Sequence, residues 1–253
     1  MTAQICATCL KPEHLCVCDA IEPVDNRVFV LILQHPQEKR ELLGTAQIAH
    51  LQLRNSAVRI GLSWPGLKRI LGREVDPRRW GVLYLGTAKQ GADQDAKQGA
   101  KPGTKPGARP EPGGAAPKPP LAVVDRNGKP VSGADAVLAG LEGIIVLDGT
   151  WSQAKTLWWR NPWLIKCRRL ILHPPMRSLY GQARREPRRE SVSSLESAAF
   201  VLATLAKDPA LYDRLLRPFA TLLTRIKAPR PGPAASAEPP EAAASADTDG
   251  AEA

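Results

Sequence analysis

The apolar run Gly143-Ile144-Ile145-Val146-Leu147 passes directly into Asp148-Gly149-Thr150-Trp151, and this junction restricts the possible folds more than any other segment. A short apolar run bounded by glycine has the pattern of an interior strand buried on both faces, and such strands belong to parallel sheets covered by helices. Thr150 with Gln153 three residues later is a capping-box signature, so a helix is predicted to start at Trp151. Asp148 then stands at the carboxyl end of a strand, beside a helix N-terminus. In open α/β sheets ligands bind beyond those strand ends, where unpaired helix amides add a partial positive charge. A carboxylate there can accept a proton or orient a ligand. The same residue types also suit a plain turn and cap, with the four tryptophans of residues 147–164 as core.

Residues 27–33, 57–62, 80–85 and 169–172 read as further strands, and residues 45–53 as a helix. Strands alternating with helical segments predict an α/β fold, a mostly parallel sheet with helices on both faces. The chain then turns helical. Ser193-Ser194-Leu195-Glu196 is a second capping box, opening a helix with Leu195, Ala198, Ala199, Leu202 and Leu205 on one face. Asp208-Pro209 caps another, in which Pro218 is expected to produce a kink because it removes a backbone donor.

Two segments cannot contribute to a core. Residues 88–120 hold almost no apolar side chain larger than alanine and carry a Lys-Pro-Gly repeat, while residues 229–253 are Ala, Pro, Ser and acid. Neither offsets the entropy of ordering, so both are expected to be disordered. The predicted organisation is a cysteine knuckle at 1–22, an α/β domain at 23–87 and 121–228, the insertion at 88–120 and the tail at 229–253. The insertion contributes +3 and the tail −4 to a net charge of +10, which leaves +11 on the foldable remainder. That is the electrostatic footprint of a nucleic-acid partner. No apolar stretch approaches the roughly 20 residues that span a bilayer. The first ten residues also lack the pattern of a secretory signal, so the expected location is the cytoplasm, with thiols reduced or metal-bound.

Four of the five cysteines fall in the pattern Cys6-x2-Cys9-x6-Cys16-x-Cys18. Two close pairs suit a tetrahedral zinc-thiolate site, which would supply folding energy that so short a segment lacks. His14 lies between the pairs as an alternative ligand. Cys167, without a near neighbour, reads as a small buried residue. His35-Pro36-Gln37-Glu38 follows a strand end. Between Lys166 and Glu190 lie eight bases and two acids, among them Arg177, Arg184, Arg185, Arg188 and Arg189. Phosphate contacts would use such a run, while base selection must come from elsewhere.

Taken in order, the cysteine knuckle, His35-Pro36-x-Glu38, Asp148-x-Thr150-Trp151, Asn161-Pro162, the arginine stretch and Ser193-x-Leu195-Glu196 resemble the DTW-domain family, from about Cys6 to Lys227. Ser194 and Ser197 stand where the family typically has threonine and alanine. Bacterial members look like tRNA-uridine aminocarboxypropyltransferases. The family looks related to SPOUT-type RNA-modifying proteins, whose α/β fold carries a trefoil knot near the S-adenosylmethionine site. The resemblance implies transfer of the 3-amino-3-carboxypropyl group of S-adenosylmethionine to N3 of a tRNA uridine, at position 47 of the variable loop, with release of methylthioadenosine. Asp148 would be the catalytic residue. His35, Thr150, Trp151, Leu195 and Glu196 would lie on the donor side, with the arginines Arg177, Arg184, Arg185, Arg188 and Arg189 on tRNA and zinc on Cys6, Cys9, Cys16 and Cys18. No membrane and no obligate protein partner is expected. Three other readings stay open: a methyltransferase using the same donor, an aminocarboxypropyltransferase acting on ribosomal RNA, and a non-catalytic zinc and RNA-binding protein.

Overall fold

The alternation of apolar side chains along the central strands decides how the layers form. The computed structural model describes residues 4–83, 119–175, 177–181 and 192–228. The tail expected at 229–253, and the insertion expected at 88–120 apart from its last two residues, lie outside the described residues. In chain order the elements are β1 (Phe29–Gln34), α1 (Ala46–Gln52), β2 (Ser56–Ile60), α2 (Leu67–Leu71), β3 (Trp80–Leu83) and β4 (Leu121–Val124), then α3 (Ala134–Ala139), β5 (Gly143–Asp148), α4 (Trp151–Arg160), β6 (Arg168–Leu172), α5 (Ser194–Ala206) and α6 (Pro209–Lys227). The strands form one sheet in the order β2-β1-β5-β3-β6-β4. Every pairing is parallel except β4 with β6.

Because side chains alternate along a strand, β1 and β5 serve two cores at once. Val30, Ile32, Ile144 and Val146 pack with residues of α1, α5 and α6. Leu31, Leu33, Ile145 and Leu147 pack with residues of α2 and α4. The mixed α/β architecture and mostly parallel sheet expected from the sequence are therefore present. The glycine that bounds β5 has a packing role as well: a Cβ on Gly143 would lie 2.5 Å from the ring of Trp80, which is fully buried.

The short elements β4, α2 and α3 were not expected. Helices of five and six residues are too brief for a 3.6-residue period to show, and β4 follows directly on the Pro- and Lys-rich segment. Helix α6 runs unbroken through Pro218. Proline at that position leaves the Arg214 carbonyl without its helical donor. The Gln52 side chain, reaching from α1, donates to Arg214 O at 3.3 Å and to Leu215 O at 3.2 Å.

The N-terminal segment joins the same core. Cys9, Leu15 and Val17 are buried in the cluster that holds α5 and α6. Arg225 grips Asp19 through two hydrogen bonds, of 3.0 and 2.6 Å, and Arg217 donates to Glu22 at 2.9 Å. Among the described residues no helix is long and apolar enough to cross a membrane.

Candidate functional site

Strands β1 and β5 lie side by side, and the chain leaves them in opposite directions. From β1 it passes through α1 to β2, and from β5 through α4 to β6, with α1 and α4 on opposite faces of the sheet. Such a switch point opens a crevice beyond the carboxyl ends of the two strands. Gln34 and Asp148, paired in register, are the last residues of β1 and β5.

Asp148 is 6 % exposed, and both carboxylate oxygens are held. Gln34 Nε2 donates to Oδ2 at 2.8 Å, and the Ser194 hydroxyl, at the first position of α5, donates to Oδ1. The capping box at the start of α4 is complete: Thr150 N donates to Gln153 Oε1 at 2.6 Å, and Gln153 N to Thr150 Oγ1 at 3.4 Å. Gln153 Nε2 continues to Gln37 Oε1 at 3.0 Å, which ties α4 to the turn after β1. Glycine is required between Asp148 and Thr150, since a Cβ on Gly149 would come within 2.8 Å of Gln153 Cβ.

Beside this junction lies an open cleft of about 640 Å³, lined by Gln37, Glu38, Glu41, Leu42, Leu43, Thr150 and Gln153. Two distant elements hold its wall. Lys11 is 4 % exposed and donates to the carbonyls of Glu41, Leu42 and Gly44 at 3.2, 2.8 and 2.6 Å. Burial pushes its ammonium down to about 8, against the opposing pull of Cys9, Asp148 and Glu41. The Tyr180 hydroxyl donates to Leu43 O at 2.9 Å.

The residues expected on the donor side separate into two groups. Thr150 is exposed on the cleft, and Trp151 is half-buried with Lys155 Nζ 5.7 Å from its ring centroid. His35 accepts from Gln37 N at 3.3 Å through Nδ1 and so caps the turn Pro36–Arg40. Leu195 and Glu196, in contrast, are 0 % and 1 % exposed. Leu195 packs in the core that holds α6. The Glu196 carboxylate accepts from Leu179 N at 2.6 Å, the Ser178 hydroxyl at 2.8 Å and Ser193 N at 2.7 Å. Glu196 thus fixes the segment that carries Tyr180, and through it the cleft wall. Arg177 is exposed next to that segment, whereas Arg184, Arg185, Arg188 and Arg189 lie outside the described residues.

The sulfurs of Cys6, Cys9, Cys16 and Cys18 lie within 4.8 Å of one another. Cys6 to Cys18 and Cys9 to Cys16 are both 3.7 Å. A tetrahedral site with zinc–sulfur bonds of about 2.3 Å requires sulfur separations of about 3.8 Å, so the four thiolates fit a zinc ion. Cys167 is buried apart from them, and burial pushes its thiol up to about 12, as suits an inert core residue.

Gln34, Ser194, Lys11 and Tyr180 were not singled out from the sequence. Gln34 ends a predicted strand and Ser194 lies in a recognised cap, so both had local signals. Lys11 and Tyr180 act through contacts 33 and 137 residues away, which no local pattern reveals.

A basic α/β protein with a buried carboxylate at its switch point and a four-cysteine knuckle is the class these features define. The chain belongs to the DTW-domain family, the DTW domain matching residues 3–227. It is 26 % identical over 227 residues to tRNA-uridine aminocarboxypropyltransferase 2 of Macaca fascicularis, a match covering 86 % of this chain and 61 % of that protein. With the Drosophila melanogaster protein of the same name it shares 28 % identity over 223 residues, covering 86 % of this chain and 72 % of the relative. The chain thus spans about three-fifths of the macaque protein's length. No solved structure matches it.

Proposed function

We propose that this protein transfers the 3-amino-3-carboxypropyl group of S-adenosylmethionine to N3 of a tRNA uridine in the cytoplasm, with the variable-loop uridine at position 47 as the target. The observation that carries this reading is Asp148, a buried carboxylate at the β1–β5 crevice of a DTW-domain chain, held on both oxygens beside an open cleft. The relatives' names support the reaction, and the basic character of the foldable part supports an RNA substrate.

In this reaction N3 of uridine attacks the carbon of the aminocarboxypropyl group that is bonded to sulfur. An N–C bond forms and the C–S bond breaks. Its electron pair neutralises the sulfonium as methylthioadenosine leaves, and Asp148 accepts the N3 proton. Gln34 and Ser194 fix the direction of the carboxylate. The donor's pose decides the product, because the methyl carbon bears the same leaving group. Thr150, Trp151 and His35 hold the donor, joined by the Gln37 and Gln153 amides. Leu195 and Glu196 act as positioning residues behind the wall. Arg177, Arg184, Arg185, Arg188 and Arg189 meet tRNA phosphates. Cys6, Cys9, Cys16 and Cys18 would hold zinc, which would supply folding energy to the N-terminal segment.

Incubation of the purified protein with S-adenosylmethionine and unfractionated tRNA, followed by nucleoside mass analysis, tests this. The expected products are aminocarboxypropyluridine and methylthioadenosine. A methylated nucleoside with S-adenosylhomocysteine would make it a methyltransferase, and product confined to ribosomal RNA would move the substrate. Bound tRNA with no product would leave only an RNA-binding protein.

A further inference from the structure

Helix α4 joins the site only at its first turn, and its outer surface is unlike an ordinary solvated face. Ala154 and Leu157 point into the core. On the opposite side Trp159 is 77 % exposed, the most exposed large hydrophobic side chain among the described residues. At 100° per residue, Trp151, Lys155, Trp158 and Trp159 fall within one 100° stripe. Cations already lie over two of these rings: Lys155 Nζ is 5.7 Å from the Trp151 centroid, and Arg169 Cζ is 5.3 Å from that of Trp158. Among the described residues Trp159 has no such contact, so its ring is open to a ligand.

The sequence that carries the stripe holds charge of one sign. From Gly149 to Arg185 the chain carries eight bases and no acid. Lys155, Arg160, Lys166 and Arg168 have no carboxylate within ion-pair distance among the described residues, whereas Lys68, Arg78 and Arg79 nearby are each paired. A helix face built for solubility mixes both signs, commonly as acid and base four residues apart. A bare indole among unpaired bases is instead the pattern that grips single-stranded nucleic acid, by stacking on a base and by contact with the backbone.

We propose that the outer face of α4 docks an unpaired segment of tRNA, with Trp159 stacking on a base and Lys155 and Arg160 contacting phosphates on either side. Trp159 stands eight residues along the helix from Trp151, about 12 Å at 1.5 Å per residue. The stripe therefore leads from the rim of the cleft along the side of the protein. It gives the substrate a hold on α4 itself, beyond the cleft. The proposal rests on tRNA being the substrate.

The test uses the full zinc-loaded protein and measures its affinity for unfractionated tRNA over a range of salt concentrations. W159A is expected to weaken binding about tenfold with an unchanged salt slope, because a stacking contact releases no counterions. W159F is expected to recover most of the loss. The K155A/R160A double variant is expected to flatten the slope by about 1.4, two contacts at roughly 0.7 each for a single strand. Affinity for S-adenosylmethionine should not change in W159A, and a parallel loss there would mean damage to the fold and overturn the assignment. Parental affinity for tRNA in W159A overturns this surface alone, provided the parent still forms aminocarboxypropyluridine. If instead tRNA binding weakens in W159A while the parent forms no product, the surface stands and the proposed reaction falls. A parent that binds no tRNA overturns both. Loss of binding to phosphatidylserine vesicles with tRNA binding intact would reassign the face to membranes.

Discussion

Gln34 Nε2 donates to Asp148 Oδ2 at 2.8 Å across the ends of two neighbouring parallel strands. With the Ser194 hydroxyl on Oδ1, the carboxylate is fixed from the sheet and from α5. Its direction therefore does not depend on α4, the element that follows it in the chain. In an Asp148→Asn variant an amide replaces one acceptor oxygen, and the group can no longer take a proton. Aminocarboxypropyl transfer is expected to fall between about 10²- and 10⁴-fold, the range for loss of a general base, while tRNA affinity is kept. Single-turnover product formation beside a tRNA binding curve checks both halves. Full activity in Asp148→Asn would mean that the residue only orients the reactants.

Ser194 gives a graded version of the same argument. Ser194→Ala removes the donor to Oδ1 and leaves a buried charged oxygen short of a partner, at a cost of about 1.5–3 kcal/mol for a hydrogen bond to a charged group. Ser194→Thr keeps the hydroxyl. The expected order of turnover is parent and Ser194→Thr together, then Ser194→Ala well below, with Asp148→Asn lowest. Turnover in Ser194→Ala equal to that of the parent would show that the Gln34 contact suffices.

The knuckle is predicted to affect the cleft through Lys11. In Lys11→Met the carbonyls of Glu41, Leu42 and Gly44 lose a shared donor, and the wall that includes Leu42 and Leu43 should loosen. The expected result is one zinc per chain as in the parent, with S-adenosylmethionine affinity reduced about tenfold, measured by metal analysis and calorimetry. Chelation of the zinc should act more broadly. Cys9, Leu15 and Val17 are part of the main core, so thermal unfolding is expected to shift down and to recover when zinc is restored. A metal-free protein with the parent's melting temperature would remove the structural role assigned to zinc.

The features legible in the sequence were those written locally. Gly143 to Leu147 showed a strand because burial on both faces leaves a continuous apolar run, and both capping boxes showed because their partners stand three residues apart. Asp148 could be placed at a strand end for the same reason. The support around it could not be read. Nothing in the sequence around Lys11 marks it, yet it is buried with all three hydrogens used. Glu196 looked available to a ligand, yet its oxygens are taken by the segment before α5. Such roles depend on which distant carbonyls and amides the fold leaves unpaired, and these are fixed only when the layers assemble.

Pro218 shows how far one such unpaired group reaches. The donor that Pro218 lacks is replaced by Gln52, which also accepts from Glu22 N at 2.7 Å. Gln52→Leu should therefore destabilise the protein by about 2 kcal/mol, because it leaves buried backbone groups without partners. Pro218→Ala supplies an N–H to Arg214 O from within the helix, so the Gln52→Leu change should cost less in that background. A coupling of about 1 kcal/mol in a double-mutant cycle from urea unfolding is the expected outcome. Strict additivity of the two changes would show that Gln52 acts only through Glu22 and that Arg214 O is satisfied by solvent.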